Sequence, residues 1–263
     1  MSVRVRPTFG ETGFLVREGV LGEDELARLR TVVEDVASRV ATHARREGAG
    51  PEARMANGAR IQFSSRTNIQ WEWANGSDQI RLLEPCDHLD PAIADLFGDE
   101  RLVGPARDAL GLDEVAPFTS KLNLKRAHEG SEFPWHQDYP YWYAACQEDA
   151  ADMVTAVVFL DDADAENGAL RVLPGSHLGG PARRDRNEPT QFLADPAALD
   201  TSVEVVVEVP AGSVIWFGSF LVHRSSPNTS GRHRRALLPT WQPPGRPRLF
   251  QTEYRRELVE QLP

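Results

Sequence analysis

Trp135-His136-Gln137-Asp138-Tyr139 is the stretch on which the reading of this chain turns. On a strand, residues two apart point to one face, so His136 and Asp138 set an imidazole beside a carboxylate. That is two-thirds of a metal site. The missing third is a second imidazole delivered from far along the chain. His223, at the end of the apolar run 213–222, is the best placed. Two histidines and one carboxylate with three open positions make the facial triad of non-haem Fe(II) oxygenases. A His-x-Asp pair alone also suits a hydrogen-bonded loop, and the flanking motifs decide between the two readings.

Three of those motifs lie downstream. Asn167-Gly-Ala-Leu-Arg-Val-Leu-Pro-Gly-Ser-His177 reads as turn, short strand and turn. Ser225 follows His223 by two residues and shares its face if the chain is extended. Arg234 begins the next strand after the turn Pro227-Asn-Thr-Ser-Gly231, and a hairpin of that length brings it back beside Ser225. An arginine fork with a hydroxyl is a carboxylate clamp. A metal triad with such a clamp calls for a small dicarboxylate reaching from one to the other. 2-Oxoglutarate does so, with its keto oxygen and C1 carboxylate on iron and its C5 carboxylate in the clamp.

Around this centre the chain reads as helices first and short strands afterwards. Phe14-Leu-Val16 is an opening strand. Residues 23–47 predict a helix, with Leu26, Leu29, Val32, Val33, Val36 and Val40 on one stripe and Gly48-Ala-Gly-Pro51 as its stop. Residues 60–73 are β-rich and read either as a pocket wall bearing Arg66, Gln70 or Trp71, or as an outer strand. Asp90-Pro91 caps one or two helices that run to Leu110, with Gly111 as the stop. From Phe118 the strands begin. Lys121-Leu-Asn-Leu-Lys125 alternates strictly, 153–160 is a buried strand, 203–209 alternates again, and 234–242 is the last clear strand. Asp161-Asp-Ala-Asp-Ala-Glu-Asn-Gly168 lacks the ligand spacing of a calcium loop and reads as a solvated turn. A final helix is expected at 252–261. Helices packed on an antiparallel sandwich or barrel are the architecture this order implies.

The whole, residues 1–263, is expected to be one domain, with a helical scaffold mainly at 20–112 and a β core at about 118–242. Apolar residues make up 41% of the chain, ample for one core. The net charge of −10 argues against nucleic acid and anionic membranes as partners. The start of the chain lacks the apolar stretch of a signal peptide, and no run is long enough to span a membrane. The two cysteines, Cys86 and Cys146, suit a reducing cytoplasm better than a disulfide. The partner expected is a small-molecule substrate; the oligomeric state is left open.

His136-Gln-Asp138, Asn167-Gly-x-Leu with Pro174-Gly-Ser-His177, and His223-x-Ser225 with Asn228 and Arg234 resemble the phytanoyl-CoA dioxygenase family of Fe(II)/2-oxoglutarate oxygenases. The resemblance extends to Gly13-Phe-Leu-Val and Leu21-Gly-Glu-Asp-Glu-Leu26 and covers most of the chain. It implies a mainly β, double-stranded β-helix fold, the cupin-like jelly roll, with flanking helices. It further implies Fe(II) on His136, Asp138 and His223, and 2-oxoglutarate on Ser225 and Arg234, with O2 as oxidant. Residues 121–125 and 133–138 are similar to the same region of ectoine hydroxylase within this family. That likeness implies Asn123 and Phe133 near the co-substrate and Trp142 in the pocket. It fades after Tyr143, so ectoine does not follow as substrate.

The expected activity is hydroxylation of an unactivated C–H bond of a small molecule, with release of succinate and CO2. Desaturation, epoxidation and cyclisation use the same oxidant. Halogenation is disfavoured because Asp138 fills the position a halide needs, and a passive binding protein has no use for the clamp. Tyr139, Tyr141, Trp142 and Tyr143 read as core or as pocket wall. His43, His88 and His128 read as surface residues, His177 as a turn residue, and His233 either as solvent-exposed, the favoured reading, or as a substrate contact. The irregular stretch 178–200 reads as a lid. Within it, Arg183, Arg184 and Arg186 read either as loop surface or as contacts to an anionic substrate group.

Overall fold

The computed structural model describes residues 9–46, 52–54, 59–64, 66–73, 77–186 and 192–249. A turn of helix, α1 (Phe9–Thr12), leads into strand β1 (Phe14–Arg17) and then the long helix α2 (Glu23–Arg46). Leu26, Leu29, Val33, Val36 and Val40 of α2 are buried, so the stripe expected from the sequence is the packing face. Three acidic residues in its first turn and three basic ones in its last complement the helix dipole. Strands β2 (Glu52–Arg54), β3 (Arg60–Ser64), β4 (Thr67–Trp71) and β5 (Ile80–Glu84) follow as a meander. Residues 60–73 are thus two paired strands with a turn at Arg66, whose φ is 59°. Helices α3 (Pro91–Ala94) and α4 (Glu100–Leu110) come next. Asp90 caps α3 through Ala92 N, and Gly111 ends α4 in the left-handed region.

The remaining strands are β6 (Ala116–Lys125), β7 (Phe133–His136), β8 (Val154–Phe159), β9 (Leu170–Val172), β10 (Val205–Val207), β11 (Val214–Gly218), β12 (His223–Ser225) and β13 (Arg234–Gln242). Helix α5 (Tyr139–Cys146) lies between β7 and β8. These eight strands form two facing antiparallel layers, β11-β8-β13-β6 and β10-β9-β12-β7, the jelly roll. The first layer is extended at both edges, by β1 beyond β11 and by β5-β4-β3-β2 beyond β6, into a nine-stranded sheet.

Pleating assigns each face. Val157, Phe159, Ile215, Phe217, Ala236 and Leu238 point inward and meet Leu170, Val172 and Val207 of the small sheet. Val154, Ala156, Val158, Trp216, Leu237 and Trp241 point outward and meet α2, α3 and α4. The helices therefore close the outer face of the large sheet and leave the space between the sheets to the site. Polar contacts fix the docking: Arg30 Nε donates to Leu160 O at 2.7 Å, and Glu34 bridges Arg126 at 2.6 Å and Arg235 at 3.1 Å.

The structure departs from the sequence reading in three places. The apolar run 213–222 is not one strand carrying His223. β11 ends at Gly218, a turn closed by Leu221 N on Gly218 O reverses the chain, and His223 opens β12 in the other sheet. Residues 203–209 supply only the three-residue β10, because Thr201–Val203 form a 3-10 turn. β5 was not anticipated. The expected stop at 48–51 and helix at 252–261 lie outside the described residues. Among those described, no helix is long and apolar enough to cross a membrane.

Candidate metal centre

β7 and β12 pair antiparallel with His136 directly opposite His223, and the two ring centroids are 4.2 Å apart. Asp138 joins them by a route other than strand alternation. β7 ends at His136, and Asp138 takes helical angles (φ −71°, ψ −28°) as the chain enters α5. The turn swings its carboxylate back toward the imidazoles. One donor atom from each of the three residues lies within 4.8 Å of the others.

The protonation states suit a divalent metal. His136 Nδ1 is 2.7 Å from Pro134 O and His223 Nδ1 is 2.9 Å from Leu221 O. Each Nδ1–H donates to its carbonyl, which leaves Nε2 as the metal donor. Burial pushes His136 down to about 3, aided by the neighbouring His223, and burial likewise lowers His223, so both rings stay neutral. Burial alone would raise the Asp138 carboxyl. The Lys121 ammonium, 3.1 Å away, and the two histidines overcome it and hold Asp138 below the ordinary carboxylate range. Two neutral imidazoles and one ionised carboxylate, open on one side, are the donor set of Fe(II) facial-triad sites.

The other residues singled out from the sequence fall as follows. Ser225 is buried on β12, opposite Phe133 and Leu170. Arg234 is buried at the start of β13, in register with Lys125 and 5.9 Å over the Phe159 ring. The two belong to different sheets, so they face each other across the interior and are not joined in one hairpin. No carboxylate lies within 4.0 Å of Arg234 among the described residues, and its Nε is buried without a partner. Burial lowers the Arg234 guanidinium to about 10. Asn123, on the inward face of β6, has a buried, unpartnered Oδ1. Between the pairs Phe133–Ser225 and His136–His223, two residues of β7 oppose one of β12, and this bulge turns Phe133 inward with His136.

Gly168 has φ +82°, and a Cβ there would come within 2.9 Å of Lys125 Cδ. Its missing side chain makes room for the Lys125 stem, whose Nζ donates to Ser131 O at 2.7 Å and to Ser226 O. The preceding Asn167 closes the acidic turn by accepting from Asp164 N and donating to Asp162 O. Asp161, Asp162 and Asp164 are all engaged by arginines or backbone amides, as the solvated-turn reading expects.

Around the mouth, Trp142 is fully buried, edge-on to Phe118, with Lys121 Nζ 5.0 Å above its ring. Tyr139 packs on Phe220 and borders a pocket of about 250 Å³. Two aromatics meet the triad: Phe217, 4.6 Å from the His223 ring, and Tyr141, edge-on to His136 at 6.0 Å. The stretch 178–200 is anchored here. Its Leu193 bridges to His136 and Ala194 N donates to Trp135 O at 2.9 Å. Gln137, almost fully buried, donates to Gly180 O at 2.9 Å and Phe220 O at 2.6 Å and accepts from Ala182 N at 2.8 Å. Of the three arginines, Arg183 is paired with Asp195, Arg186 is exposed, and Arg184 borders the pocket, 4.7 Å over the Phe192 ring. His177 leans on Gly13 with Nε2 3.2 Å from Gly10 O, and His233 Nδ1 accepts from Ala127 N.

Sequence reasoning missed Arg81, Gln137 and the pairing of Lys121 with Asp138. Arg81 lies on the strand that was not anticipated. For Gln137 the position between two ligands was the available signal. For Lys121 it was the inward face of an alternating strand.

Comparison with known proteins agrees with this geometry. Residues 9–236 match the phytanoyl-CoA dioxygenase (PhyH) family. The chain is 33% identical over 184 residues to an L-proline trans-4-hydroxylase of Streptomyces griseoviridis, covering 63% of this chain and 68% of that one. It is 30% identical over 252 residues to phytanoyl-CoA dioxygenase domain-containing protein 1 of Bos taurus, covering 87% and 85%. The crystal structure of EctD from S. alaskensis with 2-oxoglutarate and 5-hydroxyectoine has the same fold, with a TM-score of 0.66 at 24% identity over 92% of this chain and 76% of that one. With a family match from the first helix to the last core strand, the chain belongs to the phytanoyl-CoA dioxygenase (PhyH) family.

Proposed function

We propose that this protein hydroxylates an unactivated C–H bond of a small molecule, an amino-acid-like compound or a natural-product intermediate. Its enzyme class follows from the family: an Fe(II)/2-oxoglutarate-dependent dioxygenase. In the proposed reaction, one atom of O2 enters the new hydroxyl group and the other enters succinate, formed from 2-oxoglutarate with loss of CO2. Iron, when bound, supplies the activation of O2.

The protein's own part is to bind, orient and exclude water. His136, Asp138 and His223 hold the metal by two Nε2 atoms and a carboxylate. Lys121 keeps that carboxylate ionised and turned to the site. Arg234 takes the C5 carboxylate of 2-oxoglutarate, Ser225 adds a hydroxyl, Phe133 walls the co-substrate, and Asn123 offers the N–H of its side-chain amide as a donor. α5 and the described parts of the segment, 178–186 and 192–200, cover the mouth, which shields the reacting centre from solvent. We read that segment as a lid that orders when substrate binds.

The observation that carries the reading is a buried guanidinium lacking a carboxylate, on the sheet facing a complete facial triad. Anaerobic titration with Fe(II) and 2-oxoglutarate tests the co-substrate half, through the weak visible charge-transfer band of the complex. Succinate release across a panel of small molecules tests the other half. The Streptomyces relative's name makes L-proline the first compound to try. A protein that forms no band, or that forms succinate without ever yielding a hydroxylated product, would overturn the proposal.

A further inference from the structure

Arg81 stands outside the machinery described so far. Between β4 and β5 the register slips: Gln70 pairs with Leu82 and Trp71 with Ile80, so Arg81 is the extra residue of a β-bulge. Bulges re-aim side chains and concentrate beside active sites. Here the bulge brings Arg81 to the inward face that Leu82 shares with its partner Asn123. The guanidinium carbon sits 3.6 Å from the centroid of Phe133 and 4.8 Å from that of Trp73. Nη2 donates to Glu132 O, and Nη1 reaches Gln70 Oε1 at a long 3.4 Å. Nε is buried with no partner.

The surroundings do not complete this charge. No carboxylate lies within 4.0 Å of Arg81 among the described residues. The nearest in influence is Glu72, which accepts from both the amide and the hydroxyl of Ser131 and faces Lys125 as well as Arg81. Glu72 and the exposed Glu132 thus act at a distance on two buried cations, Arg81 and Lys125, and neither forms an ion pair with Arg81. A buried cation is costly unless a hydrogen-bonded counter-charge completes it. Burial accordingly lowers Arg81 to about 10, against the pull of Glu72 and of Tyr141.

Tyr141 places this charge relative to the metal. Its ring meets His136 at 6.0 Å and Phe192 at 5.2 Å. Burial and the charge of Asp138 raise its phenol, against a hydrogen bond from the Phe192 backbone and the charges of Arg81 and Arg184. Arg81 thus stacks on Phe133 of β7, the strand that carries His136, and Tyr141 meets His136 itself, so both side chains lie against the strand of the triad. Arg234, proposed above as the anchor for 2-oxoglutarate, lies in register with Lys125 at the start of β13 and is influenced by Asp161. The Nε–H of Arg81 has no acceptor, and Nε–H with a neighbouring Nη–H is the edge of a guanidinium that a planar carboxylate takes in bidentate fashion.

We infer that Arg81, with the Tyr141 phenol beside it, is the receptor for a free carboxylate on the prime substrate. The substrate class is then a small carboxylic acid, amino acids above all, and not an ester, an amide or an acyl thioester. This rests on the hydroxylase reading above and adds the substrate group that is recognised.

The test is equilibrium binding. Mn(II) replaces iron so that no turnover occurs, 2-oxoglutarate is saturating, and calorimetry follows L-proline against L-prolinamide, then a panel of free amino acids against their methyl esters. Binding is expected only from free acids. Arg81→Gln should weaken it on the order of 100-fold, the loss of a charge-assisted fork, and Tyr141→Phe roughly 10-fold, the loss of one hydrogen bond. The 2-oxoglutarate affinity of both variants, measured by the same method, should not change. Neutral derivatives that bind as tightly as the acids, or a panel in which no free acid binds, would overturn the inference. So would an Arg81→Gln protein whose main loss is in 2-oxoglutarate affinity. If Arg81→Gln does not fold, the acid–amide comparison in the wild type and the Tyr141→Phe variant still decide. A wild-type protein that binds no 2-oxoglutarate fails the hydroxylase reading instead, and the two failures are told apart by that measurement.

Discussion

His136 and His223 occupy directly opposed positions on neighbouring antiparallel strands, with ring centroids 4.2 Å apart. Their Nδ1 atoms are each tied to a backbone carbonyl two residues upstream. His136→Ala and His223→Ala should each abolish tight Fe(II) binding while the far-ultraviolet circular dichroism stays native. The double variant should bind no worse than either single, because the ligands act as one sphere. Metal content after reconstitution checks this. A single variant that retains iron would remove that residue from the triad.

Arg234→Met separates ligand binding from stability. The side chain is buried with no carboxylate within 4.0 Å among the described residues, so an apolar replacement of similar length should leave the ligand-free protein as stable as wild type or more so, by about 1 kcal/mol or roughly 2–4 °C in Tm. The same change removes a charge-assisted pair with 2-oxoglutarate worth about 2–4 kcal/mol, a fall in affinity of roughly 30- to 1,000-fold. Thermal melts with and without 2-oxoglutarate read both effects. A variant stabilised by 2-oxoglutarate as strongly as wild type would move the clamp elsewhere.

Gln137 is the tether of the segment 178–200. Its amide makes three hydrogen bonds, to Gly180, Ala182 and Phe220. Gln137→Ala should raise the rate of proteolytic nicking within that segment roughly 10- to 100-fold, since each bond contributes about 1 kcal/mol to keeping it closed. Limited proteolysis with peptide mapping measures it. Unchanged nicking would mean that the bridges at Leu193 and Ala194 suffice.

Asp161 sets a pH dependence away from the metal. Its carboxyl is held low, burial notwithstanding, by hydrogen bonds and charge from Arg235 and by the charge of Arg30. A folded-state value below the unfolded one means that its stabilisation is complete above the unfolded value of about 3.9 and fades as the pH falls below it. Asp161→Asn should therefore lower Tm near neutrality, and the gap to wild type should close in strong acid. Melts taken from pH 7 down to pH 3 test this. A gap independent of pH would show that the Asp161 charge is not the source.

Much of this arrangement was legible in the residues. The α2 stripe, the Asp90 cap, the Gly111 stop and the alternation of 121–125 are local signals with one physical meaning each, and the structure has them where the pattern put them. Asp138 was placed beside His136 for the wrong reason, since strand alternation and a helical turn both return a side chain to the same neighbour. The sheet change before His223 left no trace because Ser219-Phe220-Leu221 is as apolar as the strand it ends. Arg81 was hidden for a different reason. Its inward aim comes from a register slip between two strands, and a slip belongs to the pairing and not to either strand's own composition.

The pairing of His136 with His223 also bears on how the protein comes apart. They are remote in sequence but adjacent on β7 and β12, both short strands of the small sheet. An ion held between them acts as a covalent-like cross-link that closes a loop of about 90 residues, and in chain-entropy terms such closure disfavours the unfolded ensemble by on the order of 4 kcal/mol. The small sheet, with strands of three or four residues, is then the part of the jelly roll whose persistence depends most on the metal. Chelation should be seen first as hydrogen exchange at β7, β9 and β12, while the nine-stranded sheet and its helices keep their protection.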